Sequence, residues 1–477
     1  MQTSQARTVA VLGGSYGGYH AAQILAAGLP AGWRVVLIDR NSHVNHVYVL
    51  PRYGVLPGHE HKAFIPYTRT FHSADHIQLH ARITSLSPHC VTLSKSFPEH
   101  GLSDVLHFDY AVYALGSHLP SPINLWGAPP SVKGAAAVTA TYEGNKEDSI
   151  AWLRQHQMAI EAAETVLVVG GGALGIQYAT DIAAVYPGKQ VTLLHSRHRL
   201  LPRFDPSMHS EILEAMDELN VNVILGERLD LDSTREEPPK RNAAGQRVVR
   251  TVTGREIAAD LLLLCTGQQP NTELLKAMDD RTVVRKNGMA KVLRTMQLGF
   301  ESGSAAETPS RTSALHTPAP ETALAGDEGV DMEQLEAVLG QIKLTYDPDH
   351  STSGSSETLA QANEEHSAYP HIFAIGDAAD AFDAINAGHT AYYQGEVAAR
   401  NILRLVNRRE GASSEDDELE LYEPGAPMIK VTLGLRKSVF QSQGIVATKS
   451  DGVEDLQAGY MWGSHGFPDA SDEEMHL

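Results

Sequence analysis

Cysteine is almost missing from this chain. Among 477 residues only Cys90 and Cys265 occur, far apart and each inside a strand-like run. No Cys-x-x-Cys exists, which excludes a dithiol relay, a disulfide reductase and zinc held by cysteines. The histidines His43, His46, His59 and His61 crowd one segment, but no HExxH or H-x3-H helix spacing accompanies them and prolines stand at 51 and 57. No metal site is expected there. No apolar run approaches the roughly 18 residues of a membrane span, and Met1-Gln2-Thr3 offers neither a secretory leader nor a myristoylation glycine. The expectation is a cytoplasmic protein with at most peripheral contact with mitochondria or other membranes. Positive charge is also scarce: 38 Lys and Arg face 58 Asp and Glu, a formal net charge of −20. That balance disfavours nucleic acid and firm binding to an anionic membrane surface. Much of the excess is local, since residues 301–368 hold 13 acidic and 2 basic side chains in a stretch rich in Ser, Thr, Pro, Ala and Gly. It reads as a disordered acidic insertion with one short helix through Met332, Leu335, Val338, Leu339 and Ile342. The acidic runs from Ser414 to Glu420 and from Asp469 to Glu474 read as solvated loop and tail.

What the chain does have is a duplicated glycine-rich turn. Val9-Ala10-Val11-Leu12 runs into Gly13-Gly14-Ser15-Tyr16-Gly17-Gly18, and Val166-Leu167-Val168-Val169 into Gly170-Gly171-Gly172-Ala173-Leu174-Gly175. A strand that ends in such a turn and opens into a helix sets backbone N–H groups and the positive helix end against a pyrophosphate. One turn suggests one dinucleotide; two suggest a flavin and a nicotinamide facing each other for hydride transfer. After the first turn, Val35-Val36-Leu37-Ile38 ends in Asp39, at the distance expected of a carboxylate that grips ribose hydroxyls. Ser15 replaces the usual middle glycine, small enough for pyrophosphate approach. After the second turn, Gln190-Val191-Thr192-Leu193-Leu194 ends in His195-Ser196-Arg197-His198-Arg199. A carboxylate there would repel a ribose 2′-phosphate, whereas an arginine accepts one, so NADPH is expected to be at least tolerated; solvated loop arginines are the bland alternative.

Three further segments complete the pattern. Residues 76–94 alternate like a strand pair with Ile83, Leu86, Val91 and Leu93 inward. Two buried strands, Phe108–Gly116 and Ala259–Gly267, end in glycine, and the second continues into Gln268-Gln269-Pro270-Asn271. Finally His371–Ile375 leads to Gly376 and Asp377, ahead of a helix expected from Ala387 to Val406; Asp377 could accept from a ribityl hydroxyl. The fold class is α/β: two nested dinucleotide-binding, Rossmann-like domains plus a small C-terminal α+β element. Residues 1–135 and 369–425 make the split FAD-binding domain, 136–300 the NAD(P)H-binding domain, 301–368 the insertion and 426–477 the C-terminal element. Within the last, Met428–Leu435 reads as a strand, and Met461-Trp462-Gly463 with Phe467 offers an apolar patch that could meet lipid, a partner or the protein's own core.

The order of these pieces resembles the two-dinucleotide-binding-domain flavoproteins, a superfamily that includes type II NADH dehydrogenases. Within it the chain is most similar to the AMID-like, apoptosis-inducing-factor-homologous branch that includes ferroptosis suppressor proteins. The likeness rests on the first turn, on Asn45-His46-Val47-Tyr48 leading to Pro51-Arg52, on Lys62-Ala63-Phe64-Ile65-Pro66-Tyr67 and on Val191–Arg197. It covers roughly residues 7–300 and 369–445 and fails across the insertion and the last 30 residues. It implies an FAD-dependent NAD(P)H oxidoreductase passing electrons to quinones or similar small acceptors. Gly13, Ser15, Gly17, Gly18, Asp39, Arg52, Lys62, Ile83, Gly116, Gly376 and Asp377 would hold FAD, Ile83 through its backbone at the adenine. Gly170, Gly172, Gly175, Gln177, His195, Arg197 and Gly267 would hold the nicotinamide nucleotide. Gln177 departs from the glutamate many relatives carry. Arg52 and Lys62 are candidates for the cation beside flavin N1 and O2, with loop cations as the alternative; His389 either approaches the isoalloxazine or simply caps and packs. A homodimer is compatible with the resemblance. Two other readings stay open: a flavin monooxygenase or tailoring oxidase acting on a biosynthetic intermediate, although the F-x-G-x-x-x-H-x-x-x-[WY] fingerprint is missing, and a flavin-bound signalling protein with negligible turnover.

Overall fold

Strand β1 (Arg7–Leu12) places Val9, Ala10, Val11 and Leu12 at zero exposure, as a strand covered on both faces requires. The computed structural model describes residues 6–120, 123, 142–300, 367–412 and 417–476; the expected acidic insertion and its short helix lie outside them. After β1 come α1 (Tyr16–Gly28), β2 (Trp33–Asp39), the hairpin β3 (His43–Asn45) and β4 (Phe64–Pro66) with α2 (Leu50–Tyr53) between them, and β5 (Ile77–His80). Then β6 (Ile83–Ser87), β7 (Cys90–Leu93) and β8 (Val105–His107) form an antiparallel meander before β9 (Tyr110–Tyr113) and β10 (Ser117–His118). Helix α3 (Lys146–Ala162) leads into the second unit: β11 (Thr165–Val169), α4 (Ala173–Val185), β12 (Gln190–His195), α5 (Pro206–Glu218), β13 (Asn222–Leu225), the ribbon β14 (Arg247–Arg250) and β15 (Glu256–Ala259), and β16 (Leu261–Leu264). The chain continues through β17 (Gln269–Pro270), α6 (Glu273–Met278), β18 (Ala290–Lys291) and β19 (Gln297–Leu298). It resumes with β20 (Tyr369–Ala374), β21 (Ala379–Asp380), α7 (Gly388–Arg409), the three strands β22 (Ile429–Leu433), β23 (Lys437–Ser442) and β24 (Ile445–Lys449), and α8 (Gly459–Ser464).

The first sheet has the order β19-β20-β9-β1-β2-β5, parallel except for β19, and the second the order β13-β12-β11-β16, all parallel. Parallel neighbours joined by crossover helices are the doubly wound arrangement that the paired turns suggested. Helices α1 and α7 approach so closely that a Cβ on Gly17 would stand 2.5 Å from the Ala391 carbonyl, and one on Gly395 would stand 2.6 Å from the Gly17 carbonyl. Gly17 therefore serves the helix contact.

The expected strand pair over 76–94 is three strands. β5 joins the parallel sheet beside β2, and only β6 and β7 pair antiparallel. Leu86, Val91 and Leu93 are buried, while Ile83 is half-buried beside a shift in register. Among the described residues no helix is long and apolar enough to cross a membrane.

The C-terminal sheet packs on α4, and Arg52 of α2 ties it there. Arg52 Nη2 donates to the Gly434 carbonyl at 2.6 Å and pairs with Asp181 of α4 at 3.0 Å, both side chains being 1% exposed or less. Burial pushes the Asp181 carboxyl up to about 6, with Arg52 pulling the other way. The apolar patch of the tail turns out to be core: Trp462 is fully buried and donates its indole N–H to the Lys62 carbonyl at 2.9 Å, with Phe467 packed against it. The acidic runs are not wholly solvated either, since Glu420 grips Arg400 at 2.7 Å and Asp472 meets His61 and Lys62 at 3.1 Å.

Removing one partner of a buried ion pair strands the other, at a cost of about 3–5 kcal/mol. R52M should lower stability to urea by about that amount, and R52M/D181L should recover most of it; an unchanged midpoint for R52M would contradict the latch. A second outcome concerns pH. Burial lowers His43 and His46 to about 3 and His156 and His465 to about 4. The unfolded chain takes up protons near pH 6.5 that the folded chain refuses, so stability present above 6.5 is lost as pH falls toward those values. Each histidine should remove about 1 kcal/mol by pH 5.5, read as a drop in urea midpoint between pH 7.5 and 5.5.

Candidate functional site

Gly13 sits at φ +100, and any Cβ there would collide with the Ala114 carbonyl; Gly18 crosses the Gly13 carbonyl in the same manner. The turn can thus fold tightly beneath the start of α1, where the Ser15 side chain makes no cap bond. At the end of β2, Asp39 accepts from Gly14 N at 2.7 Å and from Asn41 N at 2.7 Å. Asn41 is held by the Tyr142 hydroxyl at 2.8 Å, which also meets Ser149 at 2.9 Å. Burial raises the Asp39 carboxyl despite these donors. The Tyr67 hydroxyl lies over Gly14, and burial together with Asp39 holds its pKa well above the ordinary value.

The second turn repeats this geometry with one exchange. Gly170 has φ +124 against the Cys265 carbonyl, and Gly175 crosses the Gly170 carbonyl. Gly171 N–H donates to His195 Nδ1 at 3.1 Å, as Gly14 N–H donates to Asp39. Because an amide can only donate, His195 accepts at Nδ1 and carries its proton on Nε2. That Nε2 is buried and without a partner. Burial lowers the His195 pKa, the Arg199 carbonyl partly offsetting this and Arg197 and His209 adding to it. Arg197 is exposed beside it, while Arg199 is occupied with the Pro202 carbonyl at 2.8 Å.

Three strand ends meet between the turns. β10 pairs with β17, Ser117 opposite Pro270 and His118 opposite Gln269. Asp377 Oδ2 accepts from Ser117 Oγ at 2.8 Å and from Gln268 Nε2 at 2.8 Å; burial raises its pKa against these two donors. Asn271 donates to the Leu115 carbonyl at 2.8 Å and meets His118 Nδ1 at 2.6 Å. Gly116, Gly267 and Gly376 all have positive φ, and Gly376 N donates to Gln394 of α7 at 2.7 Å. Ser117, Gln268, Asn271, Tyr67 and Asn41 were given no role by the sequence alone. For the first two the signal was their place directly after a strand-ending glycine; for the others only the fold supplies it.

At the start of α7 the Gly388 N–H donates to the Tyr48 hydroxyl at 2.6 Å. Tyr16 packs against Tyr48 (5.2 Å between ring centroids) and Tyr392 (6.0 Å), and its hydroxyl meets His46 Nδ1 at 2.9 Å. His389 is half-buried in the first turn, its pKa lowered by burial. Arg52 and Lys62 are both engaged within the protein. Neither is a free cation awaiting a flavin: Arg52 is consumed by Asp181 and Gly434, and Lys62 by Asp455 at 3.2 Å and Asp472 at 3.1 Å. Their partners lie 129 to 410 positions away, in α4 and the tail. Ile83 begins β6 opposite Leu93, and Gln177 of α4 donates to Thr432 Oγ1 of β22 at 3.2 Å.

The residues present fit two dinucleotides. A Cβ on Gly172 or Gly116 would meet nothing within 4 Å, so both positions border open space beside their turns. A flavin on one cradle and a pyridine nucleotide on the other define the class of protein, a two-nucleotide flavin oxidoreductase. The chain belongs to the pyridine nucleotide-disulphide oxidoreductase family, whose model matches residues 7–301, and its cofactors are FAD and NADH or NADPH. It is 40% identical over 475 residues to Fe-regulated protein 8 of Mycosarcoma maydis, covering 98% of this chain and 96% of that one. It is 30% identical over 302 residues to ferroptosis suppressor protein 1 of Taeniopygia guttata, covering 62% and 71%. Among solved structures, reduced Bacillus anthracis CoADR-RHD superposes with a TM-score of 0.55 at 17% identity; the alignment covers 91% of this chain and only 61% of that one, and it speaks for the fold alone.

Asp377→Ala removes the acceptor that joins the strand ends. It should weaken flavin retention about tenfold or more, the scale of one charge-assisted hydrogen bond, seen as a reduced ratio of 450 nm to 280 nm absorbance; a fully yellow purified variant would argue against the contact.

Proposed function

We propose that this protein takes hydride from NADPH or NADH onto its flavin and passes the electrons to a quinone or similar flat small acceptor. Bound FAD supplies the redox chemistry, and the side chains supply position and local charge. The observation that carries the acceptor assignment is the aromatic wall of Tyr16, Tyr48 and Tyr392 at the start of α7, with Val47 and Tyr48 45% and 46% exposed. Flat rings stack on such a wall. The Tyr16 hydroxyl and His46 Nδ1 share a hydrogen bond of 2.9 Å behind that wall, and His46 stays neutral because burial holds its pKa near 3. The two cysteines are free and separate, so no disulfide intervenes between flavin and acceptor.

For the nucleotide, His195 replaces the carboxylate that would repel a 2′-phosphate, and the exposed Arg197 stands two residues on to receive it. We assign FAD to the cradle of Gly13, Ser15, Gly18, Asp39, Gly116, Gly376 and Asp377, and the nucleotide to Gly170, Gly172, Gly175, His195, Arg197 and Gly267.

Stopped-flow mixing with NADPH should bleach the flavin band rapidly, and added quinone should restore it without oxygenated product. Absence of bleaching would favour a binding protein, and oxygenated product a monooxygenase. Arg197→Ala should raise the KM for NADPH by about tenfold, the scale of a lost charged hydrogen bond, with little change for NADH; equal effects on both would remove the phosphate role.

A further inference from the structure

The crowded histidines and the chain's last residues are the two features that the nucleotide cradles leave unused, and the fold brings them together. His61 lies in the short turn Glu60–Ala63, and His476 closes the turn Glu474–His476. His61 Nε2 is 3.1 Å from Asp472 Oδ1, and His476 Nε2 is 3.9 Å from Asp472 Oδ2. One ligand atom from each of the three lies within 4.8 Å of the other two. We propose that His61, Asp472 and His476 bind a divalent first-row transition-metal ion that clips the C-terminal segment to the first nucleotide lobe.

Two imidazoles and one carboxylate are the donor set of zinc, iron(II) or cobalt(II), whereas calcium and magnesium want oxygen alone. Bonds of about 2.0–2.2 Å set such ligand atoms roughly 3–3.5 Å apart, a spacing that His61 and Asp472 already have at 3.1 Å and that His476, 3.9 Å from Asp472, has to close. The His61 and His476 rings stack with centroids 3.7 Å apart and planes 11° apart, and parallel rings cannot both aim a lone pair at one ion. One ring has to turn. The His61 side chain is 4% exposed and fixed; the His476 side chain is 55% exposed and turns at little cost. The charge also allows it. The Lys62 ammonium spans Asp472 at 3.1 Å and Asp455 at 3.2 Å, so two carboxylates face one cation, and Lys62 keeps Asp455 when the ion takes Asp472.

The segment so clipped is anchored next to the flavin turn. It carries Trp462, bonded to the Lys62 carbonyl, and His465, whose ring lies 4.2 Å from that of Tyr19, the neighbour of Tyr67.

The test uses tag-free, full-length, flavin-loaded protein after dialysis against a chelator. Cobalt(II) chloride should produce a ligand-field band to the red of the flavin absorption at one equivalent, and zinc(II) chloride, followed by calorimetry, should compete for the same site. D472N and H476A change exposed side chains, and each should weaken zinc binding by at least about tenfold, since loss of even an outer partner of a metal ligand costs about 10–100-fold. Wild-type protein without stoichiometric binding, or variants that bind as tightly as wild type, would overturn the site and leave only a hydrogen-bonded ion-pair cluster.

Discussion

A half-buried carboxylate needs donors to stay charged, and Asp377 is met from both halves of the molecule. Ser117 follows the last glycine of the first unit's β9 strand, and Gln268 follows the corresponding glycine of the second unit after β16. Neither could reach Oδ2 unless the three strand ends converged, and burial raises the cost of leaving the group unpaired. The short β10–β17 pairing and the Asn271 bonds to Leu115 and His118 brace the same junction. Such a constraint fixes the distance between the two glycine-rich turns. Two cradles are useful for hydride transfer only when that distance is fixed.

The cradles were legible because their chemistry is local. A turn that crosses its own strand needs glycine at Gly13 and Gly170, and the next strand must end beside it, so every required residue falls within some 25 positions of the turn. The substitution of His195 for an acidic residue was visible for the same reason. What the sequence did not show is how that histidine is held: only the Gly171 hydrogen bond reveals that Nδ1 accepts and that the proton stands on Nε2.

The ion pairs of Arg52 and Lys62 and the burial of the tail were hidden for the opposite reason. A cation near a flavin motif looks like a flavin ligand until its counter-charge is known, and Asp181, Asp455 and Asp472 lie far along the chain. Hydropathy could not tell whether Trp462 and Phe467 faced solvent, since an amphipathic segment of that length suits a membrane, a partner or a groove in its own fold alike. The deciding fact is the Lys62 carbonyl, which needs a donor and finds the Trp462 indole.

Helix α4 draws these strands of argument together. Its first turn rises from the nucleotide cradle, and one face then meets two partners in succession: Gln177 donates to Thr432 of the C-terminal sheet, and Asp181, one turn on, takes Arg52, which in turn holds Gly434. A glutamate in place of Gln177 could only accept, and Thr432 would have to reverse its hydroxyl to satisfy it. The amide instead donates through Nε2 and keeps Oε1 as an acceptor suited to a carboxamide N–H. The loss of negative charge at this position therefore suits the contact with the C-terminal sheet and removes only proton chemistry, which a hydride donor does not ask of its neighbour.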